Sequence, residues 1–159
     1  MRAAVLTVSD GVAAGEREDG SGDALEELLV AEGFEVVRRV VADEREEIFR
    51  AICDLSEDAR LVLTTGGTGV APRDVTPEAT LGAIEREVPG IAEAIRMDSI
   101  ARTPHALLSR GVAGALGETL VVNFPGSPGG CRDGFAVLKP ALEHGLKLLS
   151  SEATAHRQT

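Results

Sequence analysis

Three glycines in four positions, with threonines around them, mark the run Thr64-Thr65-Gly66-Gly67-Thr68-Gly69. Glycine permits positive φ, which lets successive N–H groups close on an anion while neighbouring hydroxyls assist. No Gly-Lys-Ser/Thr follows, so this is not a P-loop, and the spacing fails the dinucleotide fingerprint. A tight strand-to-helix turn would explain one or two of the glycines. The whole run reads as an anion site. A second glycine-rich run, Pro125-Gly126-Ser127-Pro128-Gly129-Gly130, places Ser127 as a cap and Pro128 at the opening of a helix. A helix N-terminus and its dipole would then face the same ligand. A well-made helix start accounts for Ser127 and Pro128 but leaves Pro125, Gly126 and the extra glycines unexplained.

Acidic residues sit beside these runs. Asp74, in Arg73-Asp74-Val75-Thr76-Pro77-Glu78-Ala79-Thr80, reads either as a surface partner of Arg73 or a second cap, or as a hard oxygen ligand for Mg²⁺. Thr76 before Pro77 already supplies an N-cap. Asp43 with Glu46 resembles a capping box, a reading that needs no chemistry. Asp10, in Val8-Ser9-Asp10-Gly11, suits an Asx-turn or a contact to ligand hydroxyls or amines. Positive charge is densest at Arg96, Arg102, His105 and Arg110. Such residues are commonly a solvated face, yet a phosphorylated ligand on an acidic chain requires a local basic patch. His105 reads as a surface or packing residue.

The elements that must position these groups follow from the hydrophobic pattern. Residues 3–8, 34–41, 61–63 and 120–124 read as strands, the second nearest an edge because it is least uniformly apolar. Val12 to Gly22 reads as a loop. Helices are predicted from Ser21 to Gly33, after Asp43, from Thr76-Pro77, from Pro89-Gly90 and from Pro128 onwards, the last kinked or split at Pro140. Residues 112–116 read as an extra strand or a loop. Strand–helix alternation implies an α/β fold with a mostly parallel central sheet covered on both faces. All its strands would then send their C-terminal ends, and the loops above, to one rim.

Composition limits the partners. The chain has 159 residues, enough for one domain, with 43% hydrophobic residues and a net charge of −10. That charge, with no Trp or Tyr and four Phe, argues against nucleic-acid binding. Two isolated cysteines, Cys53 and Cys131, exclude a disulfide framework and the common structural zinc modules. No apolar run approaches a membrane span, and MRAAVLTVSD turns polar too early for a signal peptide, so a cytoplasmic location is expected. Residues 1–150 form the expected domain and 151–159 a polar, frayed tail.

Several segments together resemble the molybdenum-cofactor biosynthesis proteins of the MogA/MoaB family. They are residues 64–69, 73–80 and 123–128, with Val8-Ser9-Asp10, Ala42-Asp43-Glu44 and Leu107-Leu108-Ser109-Arg110 in the same register. The resemblance runs from about Ala3 to about Leu149. It implies a three-layer α/β/α sandwich, a homotrimer, and adenylylation of molybdopterin by Mg-ATP with release of pyrophosphate. A molybdate-inserting enzyme is the implied partner. Asp43 and Asp74 take the places of the family's functional aspartates and would hold Mg²⁺. Thr65, Gly66, Gly67, Thr68 and Gly69 fall on the phosphate-holding loop, and Ser9 and Asp10 are further substrate contacts. Ser109, Arg110, Asn123, Pro125, Gly126 and Ser127 fall on the pterin side. Gly11 and Gly129-Gly130 depart from the family pattern, where bulkier polar side chains are common. The chain ends where the domain ends, which favours a free-standing adenylyltransferase; the alternative is a MoaB-like protein that binds pterin or nucleotide without significant turnover. Retention of both aspartates favours the enzyme.

Overall fold

The computed structural model describes residues 1–150; the expected polar tail lies outside the described residues. The chain begins with β1 (Arg2–Val8), a one-turn helix α1 (Asp10–Ala13) and α2 (Gly20–Ala31), followed by β2 (Glu35–Val41) and α3 (Arg45–Asp58). Next come β3 (Leu61–Thr65), α4 (Thr76–Ala83), the two-residue β4 (Arg86–Glu87) and α5 (Pro89–Arg102). A 3₁₀ turn (Pro104–Leu108), β5 (Ala113–Leu116), β6 (Thr119–Phe124) and α6 (Pro128–Leu149) complete it.

The six strands form one sheet in the order β2-β1-β3-β6-β5-β4, parallel from β2 to β6 and antiparallel beyond. The register pairs Ala3 with Leu61 and Leu61 with Leu120, which brings the ends of β1, β3 and β6 level. Successive side chains of the central strands enter opposite cores. Ala3, Val5, Leu61, Leu63, Leu120 and Val122 pack on α2, α5 and α6; Ala4, Leu6, Val8, Val62 and Val121 pack on α3 and α4. Burial on both faces explains their unbroken apolar runs. β2, half exposed in alternation, is the edge its composition indicated. The result is the expected three-layer arrangement. Both cysteines are free, and among the described residues no helix is long and apolar enough to cross a membrane.

Four local expectations change. Part of the predicted 12–22 loop is helical: α1 is capped by Ser9, whose Oγ accepts from Val12 N at 3.2 Å. Asp19 caps α2 through Gly22 N at 3.0 Å, one residue earlier than predicted. Asp43 forms no capping box, because Glu44 occupies the cap position of α3 and the Asp43 carboxylate is engaged elsewhere. α6 runs unbroken through Pro140. The carbonyl that loses its donor there belongs to Ala136, an exposed residue on the outer face of the helix. The 112–116 segment is a strand, held antiparallel to β6.

Candidate functional site

The parallel strands deliver their following loops to one rim. At its centre, β3 ends in the glycine run. Gly66 has φ +97°, and a Cβ there would collide with the carbonyl oxygen of Val8 on the neighbouring strand. Gly67 has φ +68°, and a Cβ there would collide with Thr76 Oγ1 and stand 3.1 Å from Asp43 Oδ1. Only glycine fits at either position.

Four consecutive carbonyls of this loop are tied by two residues. Thr76 Oγ1 donates to Gly66 O at 2.9 Å and Thr76 N to Gly67 O at 3.1 Å. Arg110 N donates to Thr68 O at 2.8 Å and Arg110 Nε to Gly69 O at 2.7 Å. With their carbonyls fixed, the N–H groups of Gly67, Thr68 and Gly69 donate to no acceptor among the described residues. Consecutive unpaired amides of this kind form an anion-binding concavity. Thr76, read from sequence as a helix cap, is instead fully buried and serves as a loop clamp, with Val75 at the cap position of α4.

The carboxylates surround the same loop. Asp10 and Asp43 exchange bonds: Asp10 N donates to Asp43 Oδ2 at 2.9 Å and Asp43 N to Asp10 Oδ1 at 3.0 Å. Arg73 bridges Asp10, at 2.6 Å, to Glu44, at 2.9 Å, rather than pairing with Asp74. That hydrogen bond from Arg73, with the Asp43 amide, holds the Asp10 carboxyl below its ordinary range. Asp43 moves the other way: burial raises its pKa, and although the Asp10 amide and Arg73 oppose this, the charges of Asp10 and Asp74 add to it. Asp74 Oδ2 accepts from Ala71 N at 2.9 Å and would lie 2.9 Å from a Cβ on Gly69. Asp43 and Asp74 therefore stand on one loop, at Gly67 and Gly69. Each keeps one carboxylate oxygen without a protein partner.

No group of three or more metal-binding side chains occurs among the described residues. Two carboxylates, each with a spare oxygen and placed to repel one another, fit Mg²⁺. This ion commonly takes one or two carboxylates and completes its shell with water and substrate phosphates.

On the other side of the loop lies a cavity of about 280 Å³ between α5, the 3₁₀ turn and the end of β6. Thr68, Arg96, His105, Ser109, Pro125 and Ser127 are among its walls. Arg96 holds the wall by donating to Ser109 O at 3.1 Å and Gly111 O at 3.2 Å. Ser127 Oγ accepts from Gly130 N at 3.1 Å, which caps α6 as the sequence indicated. The two glycine runs touch, a Cβ on Gly126 standing 3.4 Å from Gly66 Cα. Larger hollows of about 990 and 570 Å³ lie along α6 and contain none of the predicted residues.

Three residues predicted as ligand contacts make bonds within the protein that hold the site together. Thr65 is buried and donates to Pro125 O at 2.7 Å, tying the two glycine runs together. Asn123 is buried, its amide engaged by Val112 N, Thr64 Oγ1 and Thr80 Oγ1 at 3.1, 2.9 and 3.0 Å. Arg110 clamps the loop. Thr76 and Glu78 were missing from the predicted site although both shape it, and Arg96, read from sequence as part of a basic patch, braces the cavity wall.

Fold and rim together place the chain in the class of open α/β ligand-binding domains, with the site at the carboxyl ends of the strands. A family model described as "Probable molybdopterin binding domain" matches residues 4–144, and the chain belongs to that family. It is 38% identical over 150 residues to the molybdopterin adenylyltransferase of Helicobacter pylori, covering 91% of this chain and 85% of that protein. It is 40% identical to the molybdenum cofactor synthesis protein cinnamon of Drosophila melanogaster, covering 98% of this chain but only 26% of that longer one. The crystal structure of the molybdopterin biosynthesis enzyme MoaB of Thermus thermophilus superposes with a TM-score of 0.87 at 46% identity, covering 93% of this chain and 95% of that one.

Proposed function

We propose that this chain is a nucleotidyltransferase of molybdenum cofactor biosynthesis that transfers AMP from Mg-ATP to the phosphate of molybdopterin. The observation that carries the reading is the placement of Asp43 and Asp74 at Gly67 and Gly69 of one loop whose amides are unpaired. A terminal phosphate monoester is largely dianionic at neutral pH. One of its oxygens attacks the α-phosphorus of ATP, the bond to the β-phosphate breaks, and pyrophosphate leaves. The chain needs no Ser, Cys or His nucleophile for this. Its task is to hold two anions in line and to stabilise the developing charge.

The amides of Gly67, Thr68 and Gly69 grip phosphate oxygens, and the cavity beside Ser109 and Ser127 takes the pterin side. Mg²⁺, when held by Asp43 and Asp74, would supply neutralisation of the polyphosphate charge. The same proposal includes a homotrimer, a cytoplasmic setting and a molybdate-inserting enzyme that receives the product, each drawn from the family resemblance.

Incubation with molybdopterin and Mg-ATP tests the reading by release of pyrophosphate. Asp74→Ala is expected to abolish that release while molybdopterin still binds. A near-normal rate in that variant rejects Asp74 as a metal ligand, and binding by the native chain without pyrophosphate selects the turnover-free alternative.

A further inference from the structure

Arg110 looks from sequence like a cation waiting for a phosphorylated ligand, but its guanidinium is already engaged. Nε donates to Gly69 O at 2.7 Å, one terminal nitrogen to Asp74 O at 2.8 Å, and the other to the Glu78 carboxylate. Its own amide holds Thr68 O at 2.8 Å. One residue, set between Ser109 and Gly111 of the cavity wall, thus fixes the last two carbonyls of the anion loop and the backbone of Asp74.

Glu78 anchors the arrangement from the first turn of α4. Its carboxyl is held below the ordinary glutamate range by the bond from Arg110. Thr76, in the same turn, fixes the first two carbonyls of the loop. The first turn of α4 and Arg110 together set all four peptide planes, and so the direction of the unpaired amides. A planar fork that meets three acceptors at once cannot be reproduced by the single ammonium of lysine.

We infer that Arg110 is a positioning residue rather than a substrate contact: it aligns the Gly67–Gly69 amides and Asp74 with the cavity, so that the anion loop and the carboxylate act on what the cavity holds. The inference rests on the adenylyl-transfer reading for its kinetic consequence, but its effect on anion binding stands apart from turnover.

Two measurements on the full chain test it, using Arg110→Lys, Arg110→Ala and Glu78→Gln. The first is calorimetric titration of inorganic pyrophosphate in the presence of Mg²⁺. Both Arg110 variants should bind about tenfold more weakly or worse, the size of effect seen when outer-shell partners of a site are removed. Glu78→Gln keeps the cation and loosens its aim, and should fall between them and the native chain. The second is steady-state turnover, where kcat should fall about tenfold in Arg110→Lys while KM for molybdopterin stays within about twofold, as expected for loss of alignment rather than of uniform binding. Free guanidinium, and not methylammonium, should restore part of the loss in Arg110→Ala.

Native pyrophosphate affinity in Arg110→Lys overturns the inference, because charge alone would then suffice. A loss confined to KM for molybdopterin also overturns it, by marking Arg110 as a direct contact. If the native chain binds pyrophosphate but shows no turnover, the adenylyl-transfer reading fails, and the calorimetric comparison still decides the role of Arg110.

Discussion

Gly67→Ala concentrates the logic of the rim in one methyl group. The native φ of +68° lies in the left-handed region, where alanine loses about 1–2 kcal/mol relative to glycine. The new Cβ would also collide with Thr76 Oγ1, which is buried and donates to Gly66 O. Displacing that hydroxyl costs about 1 kcal/mol for the lost bond and leaves the Gly66 carbonyl unsatisfied. A total near 3 kcal/mol corresponds to a fall in Tm of about 6–12 °C for a domain of this size. Urea unfolding monitored by circular dichroism measures the stability loss, and pyrophosphate titration measures the accompanying loss of anion affinity. Gly90→Ala is the control: a Cβ there meets open space in α5, so the change should be neutral or stabilise by up to about 1 kcal/mol. If Gly67→Ala unfolds within about 0.5 kcal/mol of the native chain, as an ordinary surface substitution does, the steric account of the loop is wrong.

Asp43→Asn should abolish adenylyl transfer yet raise Tm at neutral pH. The Asp43 pKa is raised above its ordinary value of 3.8, so its carboxylate opposes folding once pH climbs through the raised value, and the advantage of asparagine should vanish below 3.8. Equal Tm values for the two proteins across that range would refute the electrostatic reading. Arg38→Ala removes the partner that Asp19, Asp23 and Glu26 share at 2.6, 3.0 and 2.6 Å. Three facing carboxylates remain without their cation, and a loss of about 2 kcal/mol is expected for these partly buried charged bonds. Arg38→Met keeps the aliphatic stem and should lose as much in urea unfolding; full stability in that variant would assign the effect to packing alone.

The architecture was readable because its signals are local. Buried parallel strands leave short continuous apolar runs at residues 3–8, 61–63 and 120–124, and glycine or Ser-Pro punctuation follows them at the rim. Convergence of Asp43 and Asp74 follows from that topology. What stayed hidden are the partners chosen across the fold. A hydroxyl preceding proline suits both a cap and a clamp, and only the proximity of Gly66 O decides that Thr76 is the clamp. Asp43 followed by Glu46 matches a capping box equally well until Asp10, distant along the chain, claims the carboxylate. Arg110 counts as free positive charge in any sum over side chains, yet two backbone carbonyls and Glu78 engage its guanidinium. β5 was ambiguous because four residues carry too little periodicity to separate a strand from a loop.

The direction of β1 and α6 also governs how this domain can be joined to others. β1 climbs from Met1 to the mouth over seven residues, and α6 starts at the mouth and descends for twenty-two, about 33 Å of helix. Met1 and Ser150 consequently border the same hollow at the foot of the sheet. Polypeptide spliced before the first or after the second would hang beneath the molecule and leave its upper opening clear, a layout suited to reuse as one bead on a longer string.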